Sequence, residues 1–124
     1  MLVETYLSSE TLQLDDDNIA NVNLGILNIY GFGIEYSLKT TNTDVTLVDK
    51  NGNVISYTGT LNDGEVGNHD VYLKVKDGVD LTNGVETSLD IVLSNGAIFT
   101  TKVMELTTDP NPKWKDAVVT YTIS

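Results

Sequence analysis

Most of the chain is written in short runs where apolar and polar residues alternate. Residues 19–29 set Val22, Leu24 and Ile26 against Asn21, Asn23 and Gly25. Residues 33–40 set Ile34, Tyr36 and Leu38 against Glu35, Ser37 and Lys39. Residues 70–76 do the same with Val71, Leu73 and Val75 against Tyr72, Lys74 and Lys76. A period of two puts every second side chain on one face of an extended strand, so each run predicts a strand with one buried face. Further strands are predicted over 2–7, 44–49, 53–60, 86–94, 97–106 and 117–123. Sustained helical periodicity is absent. The best helical candidate runs from Asp15 to Leu27, and Gly25 with the alternating asparagines argues against it.

The punctuation between these runs is equally regular. Five Asn-Gly or Asp-Gly pairs fall within residues 51–96: Asn51-Gly52, Asp63-Gly64, Asp77-Gly78, Asn83-Gly84 and Asn95-Gly96. Such pairs suit tight turns. Asn51-Gly52 and Asn95-Gly96 are flanked by alternating runs and predict hairpin tips. The other three fall in longer loops. The remaining irregular stretch, 107–116, holds Pro110, Pro112 and Trp114, and its prolines interrupt a sheet ladder before the last strand. The turns recur at uneven spacing, which excludes a solenoid or propeller repeat. The expected fold is a single all-β domain over residues 1–124, an immunoglobulin-like β-sandwich of about seven to nine strands. A jelly roll or small barrel is the alternative topology.

Composition narrows the function. The 124 residues suffice for one core without staples. Cysteine is absent, which removes disulfides, thiolate metal sites and cysteine nucleophiles. Eighteen acids stand against seven lysines and no arginine, for a net charge of −11. Nucleic-acid binding needs clustered Lys and Arg against phosphates, so neither nucleic acids nor anionic membranes are expected partners. No segment approaches the ~20 apolar residues of a membrane helix. The start, Met1-Leu2-Val3-Glu4-Thr5-Tyr6, has neither the basic nor the apolar region of a signal peptide. With a last strand running to Ser124, this suggests a complete product made in a cytoplasm.

Candidate chemistry is sparse. The single histidine, His69, precedes Asp70, and adjacent strand residues point to opposite faces, so the two cannot pair as base and orienting acid. His69 reads as a polar residue at a loop end. Glu35, Asp90 and Glu105 lie within predicted strands on polar or mixed faces, with no apolar pocket to raise a carboxyl pKa. Asp49-Lys50-Asn51-Gly52-Asn53 matches the first three ligand positions of a calcium loop. It then places Val54 where glycine is needed and Thr60 where glutamate is needed, so a hairpin explains it better. No catalytic residue, cofactor or metal ligand is assigned. The most suggestive binding residues are aromatic. Tyr30, Phe32 and Tyr36 stand in a glycine-punctuated segment, and Trp114 lies between two lysines. Aromatics are the usual anchors of interfaces.

Short, cysteine-free, Asn/Thr-rich acidic chains with hairpins such as VDKNGNVIS and VLSNGAIFT resemble accessory structural proteins of tailed bacteriophages. That group includes capsid decoration, head-fibre, neck and tail modules. The resemblance covers the whole chain in style. It implies a non-enzymatic protein in the virion, made in the host cytoplasm and docked on a capsid or tail protein, with a homo-oligomer as one expected state. The docking force would be burial of an apolar patch or exchange of an edge strand from either terminus. The same hairpins also resemble bacterial surface modules, which gives a carbohydrate-binding or adhesive module as the alternative.

Overall fold

The computed structural model describes residues 9–108 and 117–124. Eleven strands follow one another: β1 (Ser9–Gln13), β2 (Ile19–Asn28), β3 (Ile34–Thr40), β4 (Val45–Val48), β5 (Thr58–Leu61), β6 (Val66–Val75), β7 (Val85–Thr87), β8 (Leu89–Leu93), β9 (Ile98–Thr100), β10 (Val103–Thr107) and β11 (Ala117–Ile123). No helix occurs among the described residues, and the stretch from Ile19 onward that could have been helical is β2. Its alternation is used as written. Ala20, Val22, Leu24 and Ile26 are buried, while the Asn21 amide donates to Val71 O and the Asn23 amide to the Asp70 carboxylate, both at 3.2 Å. The strand expected over 2–7, both prolines and Trp114 lie outside the described residues.

The strands form three hydrogen-bonded sheets, ordered β11-β2-β6-β4, β5-β3-β8-β9 and β1-β10-β7. The second and third are continuous through the chain, because β7 leads into β8 at Ser88 and β9 into β10 at Thr101 and Lys102. Hydroxyl groups take over the ladder at this step. Thr41 Oγ1 accepts the Ser88 N–H at 2.9 Å, and Thr101 Oγ1 accepts the Leu89 N–H at 2.9 Å. Two layers result, closed over one core drawn from both, including Val22, Leu24, Val71 and Leu73 on one side and Leu38, Ile91, Met104 and Leu106 on the other. The molecule is therefore an all-β sandwich with no closed barrel. One layer carries the order β2-β6-β4 and the other β3-β8-β9, with β1 parallel to β10. β11 lies parallel to β2 at the edge of its layer.

Eleven strands form among the described residues where about seven to nine were expected: the runs 86–94 and 97–106 each break at these hydroxyl bridges, and β1 is an additional strand. β1 carries a mixed pattern and gains its order from a distant partner, β10, so local alternation did not announce it. β6 begins at Val66 rather than residue 70, since Val66–Asn68 pair with Leu27–Gly25 despite their loop-like Gly67 and Asn68.

The two predicted hairpins part company. Asn95-Gly96 joins β8 to β9, which pair antiparallel. Asn51-Gly52 does not join paired strands: a single bridge, Val48 with Val54, follows the turn. The chain then crosses to the other layer, where β5 pairs with β3. The Tyr57 hydroxyl fixes this crossing by donating to Val48 O at 2.5 Å and accepting from the Tyr72 N–H at 3.2 Å. Both turns are three-residue loops. Gly52 and Gly96 take the left-handed conformation, with φ of 87° and 94°, and Asn51 and Asn95 do not. Gly52 N–H donates to Asp49 O and Gly96 N–H to Leu93 O, each at 3.0 Å. This is a type I turn closed by a left-handed glycine, a common hairpin connection.

Candidate functional site: an aromatic ridge

β2 ends on a polar residue that the core swallows. Asn28 is 0 % exposed. Its amide donates to Phe32 O at 3.0 Å and Leu61 O at 3.2 Å, and its carbonyl accepts the Tyr30 N–H at 2.9 Å. Its backbone accepts from Gly64 N–H at 2.6 Å and donates to Glu65 O at 2.9 Å. A buried amide with all these bonds met is a rigid anchor, because leaving any of them unmade costs desolvation. Asn28 thus ties the 29–33 turn to the 61–65 turn at one end of the sandwich. Asp63 adds a bond from Gly31 N–H at 3.2 Å.

On this anchored turn stand Tyr30 and Phe32, edge to face with ring centroids 4.9 Å apart. Tyr30 meets Phe99 of β9 at 6.0 Å, and Phe99 meets Tyr121 of β11 at 6.2 Å. Tyr30, Phe99 and Tyr121 are half-buried against the core. Phe32 is 59 % exposed and forms the crest, with Ile29 also exposed. The ridge therefore runs across the seam between the layers, from β11 to β9. Its charged neighbours on the adjoining 61–65 turn are Asp63 and Glu65, both exposed. Segments 27–38, 58–73, 91–101 and 117–124 contain no lysine.

Of the aromatics singled out from sequence, the fold brings Tyr30 and Phe32 together. It sends Tyr36 elsewhere, and Trp114 lies outside the described residues. Tyr36 is buried and crosses the core to place its hydroxyl 2.6 Å from His69 Nε2. Tyr57 packs edge-on against the same imidazole at 6.2 Å. His69 is a half-buried residue within β6, not the loop-end residue expected. Burial holds its pKa below the usual 6.5, so the ring is neutral at pH 7 and accepts the Tyr36 proton. Burial raises the pKa of both Tyr36 and Tyr57. Asp70, next to His69, points out to Asn23 as strand alternation requires.

The acidic turns close on themselves. Asp49 Oδ1 accepts from the Asn51 and Asn53 N–H groups at 2.8 and 3.0 Å. The bond from Asn53 N–H leads in lowering its pKa. Asp15 caps Asp17 and Ile19 in the same way, and Asp80 caps Thr82. Among the described residues, no three carboxylate or imidazole groups converge as metal ligands.

Two further surface features flank the sheets. A trough of about 400 Å³ on the β5-β3-β8 layer is lined by Glu35, Ser37, Thr58, Thr60, Val92 and Ser94. A notch of about 280 Å³ is lined by Thr46, Val48, Val54, Lys74, Lys76 and Asp77.

Sequence reasoning missed Asn28, Phe99 and Tyr121. Asn28 breaks the apolar register of β2 at its last position, and that is the one local signal of a buried polar anchor. Phe99 and Tyr121 join the ridge only through pairing of distant strands. No protein-family model matches the chain, and comparison with curated protein sequences finds no significant match.

Proposed function

We propose that this protein is a non-enzymatic interaction module that docks on a larger assembly through the ridge of Tyr30, Phe32, Phe99 and Tyr121. The observation that carries the reading is a rigidly anchored aromatic crest whose outermost ring, Phe32, is 59 % exposed. Exposed aromatics on preorganised turns lose little entropy on binding and dominate interface energetics. The one histidine is occupied by an inward bond to Tyr36, which leaves it unsuited to act on a ligand at the ridge. The setting we favour is a virion component of a tailed bacteriophage, such as a capsid decoration, head-fibre, neck or tail module. It rests on the resemblance of the hairpin-rich, acidic, cysteine-free sequence.

The test is co-purification of tagged wild type and a Phe32→Ser variant from cells making the complete assembly. Wild type should bring down one protein at defined stoichiometry, and the variant should lose it while keeping its circular dichroism spectrum. A variant that retains the partner refutes docking through the ridge.

The hydroxyl-lined trough favours a second reading, a carbohydrate-binding module. Ser37, Thr58, Thr60 and Ser94 with the Glu35 carboxylate offer the donors and acceptors that polyols need. A glycan array on wild type and a Thr58→Val/Thr60→Val variant tests it. Absence of binding, or binding unchanged by the substitutions, removes this reading.

A further inference from the structure

The ridge has a chemical complement on the same chain. The notch between the 49–54 turn and the outer face of β4 and β6 exposes Val54, which is 80 % exposed, beside buried Val48. Lys74 and Lys76 rim it, with Asp77 also in the lining. Lys50 sits alongside, across an adjoining cavity that shares Gly52 and Lys74 and also includes Asp17. Three of the five lysines among the described residues thus gather on one spot of a chain with net charge −11. The notch volume of about 280 Å³ leaves room for one phenyl ring, since an apolar cavity of roughly 150 Å³ already accepts benzene.

Ridge and notch lie at opposite ends of the molecule. Across the β2–β6 ladder, Lys74 sits opposite Ile19 at the start of β2, whereas Asn28 and the ridge are at its far end. A ten-residue strand spans roughly 30 Å, so one chain cannot bring the two surfaces together. A second copy can. The acid-rimmed aromatic crest of one copy is opposite in charge to the lysines that rim the notch of the next, and its phenyl ring falls within the notch volume.

We infer that copies of this chain associate head to tail, with Phe32 of one copy seated on the Val48 and Val54 notch of its neighbour. Lys74 and Lys76 there face Asp63 and Glu65 of the incoming copy. The inference rests on the ridge being a docking surface and names its partner. The contact is heterologous, because it joins two different patches, and such contacts build rings or filaments rather than closed dimers. Net repulsion between acidic copies is screened beyond about 8 Å at physiological ionic strength, whereas contacts made at the interface survive.

Sedimentation equilibrium at physiological salt tests this with two surface variants. Phe32→Asp disables the ridge and Val54→Asp disables the notch. Both positions are exposed, so thermal unfolding should match wild type and serves as the control for folding. Wild type should form a concentration-dependent series of oligomers. Each variant should associate at least roughly tenfold more weakly, as loss of an aromatic anchor implies. An equimolar mixture of the two should recover a complex that stops at two chains, because one intact ridge and one intact notch remain. A wild type that stays monomeric to ~1 mM overturns head-to-tail association. So does a mixture that fails to pair, or a Phe32→Asp variant that still forms the series. A monomeric wild type leaves docking on a different protein intact, since co-purification through Phe32 decides that separately.

Discussion

Replacing Asn28 by alanine should destabilise the fold far more than an end-of-strand substitution normally would. The side chain makes three hydrogen bonds, to Phe32 O, Leu61 O and Tyr30 N–H, at 3.0, 3.2 and 2.9 Å. A typical bond contributes about 1 kcal/mol net, and a buried partner left unsatisfied adds to the loss. The expected cost is about 3–4 kcal/mol, a large share of the ~5–15 kcal/mol that holds a domain together. For a chain of this size that lowers Tm by roughly 10–15 °C. Urea unfolding followed by circular dichroism measures it, with an unchanged m-value showing that the unfolded state is unaffected. The Tyr30 amide should also lose much of its hydrogen-exchange protection, because Asn28 Oδ1 is its acceptor. Asn28→Asp should be worse than alanine at pH 7, since a buried carboxylate would face the Phe32 and Leu61 carbonyls. A loss below about 1 kcal/mol for Asn28→Ala would refute the view that this amide anchors the ridge.

Two other perturbations probe the buried contact between Tyr36 and His69. His69 has a folded-state pKa below its ordinary 6.5. The unfolded chain therefore binds its proton first, so stability is full above about pH 6.5 and falls as pH drops through that value toward the folded pKa. Asp49 and Asp80, whose carboxyls are held low, lose their contribution only below about pH 4. Denaturation midpoints should thus fall between pH 7 and 5 in wild type and stay flat in His69→Gln, while the single imidazole resonance should titrate below pH 6.5; titration at or above that value contradicts the burial argument. Gly59→Ala would set a methyl 2.6 Å from Tyr36 Cζ. Such overpacking costs about 1–3 kcal/mol. The cost should shrink in a Tyr36→Leu background, and equal costs in both backgrounds would show that the ring is not the obstacle.

The alternation of Val22, Leu24 and Ile26, and of Val71, Leu73 and Val75, was enough to assign β2 and β6 and the faces they bury. The cause is local: a strand repeats every two residues whatever it pairs with. The Asn95-Gly96 hairpin was legible for the same reason, because its partners are neighbours in sequence. The Asn51-Gly52 turn was equally visible, yet its following segment leaves for the other layer. That outcome depends on Tyr57 reaching Val48 and Tyr72, and on β3 offering an edge to β5.

The candidate site shows the same division. Sequence alone determined an all-β chain, its turns, most of its core positions, its acidic charge without arginine, and an aromatic segment at residues 30–36. Tertiary structure decided which of those aromatics face out. Tyr36 turns inward over Gly59 to His69, while Tyr30 and Phe32 are held at the surface by Asn28. Phe99 and Tyr121 reach the ridge from strands far along the chain, and the lysine-rimmed notch forms only when the 49–54 turn lies beside β6. Local alternation sets the direction of a side chain relative to its own strand. Only the pairing of distant strands sets what that side chain meets, and surfaces for recognition are made of those meetings.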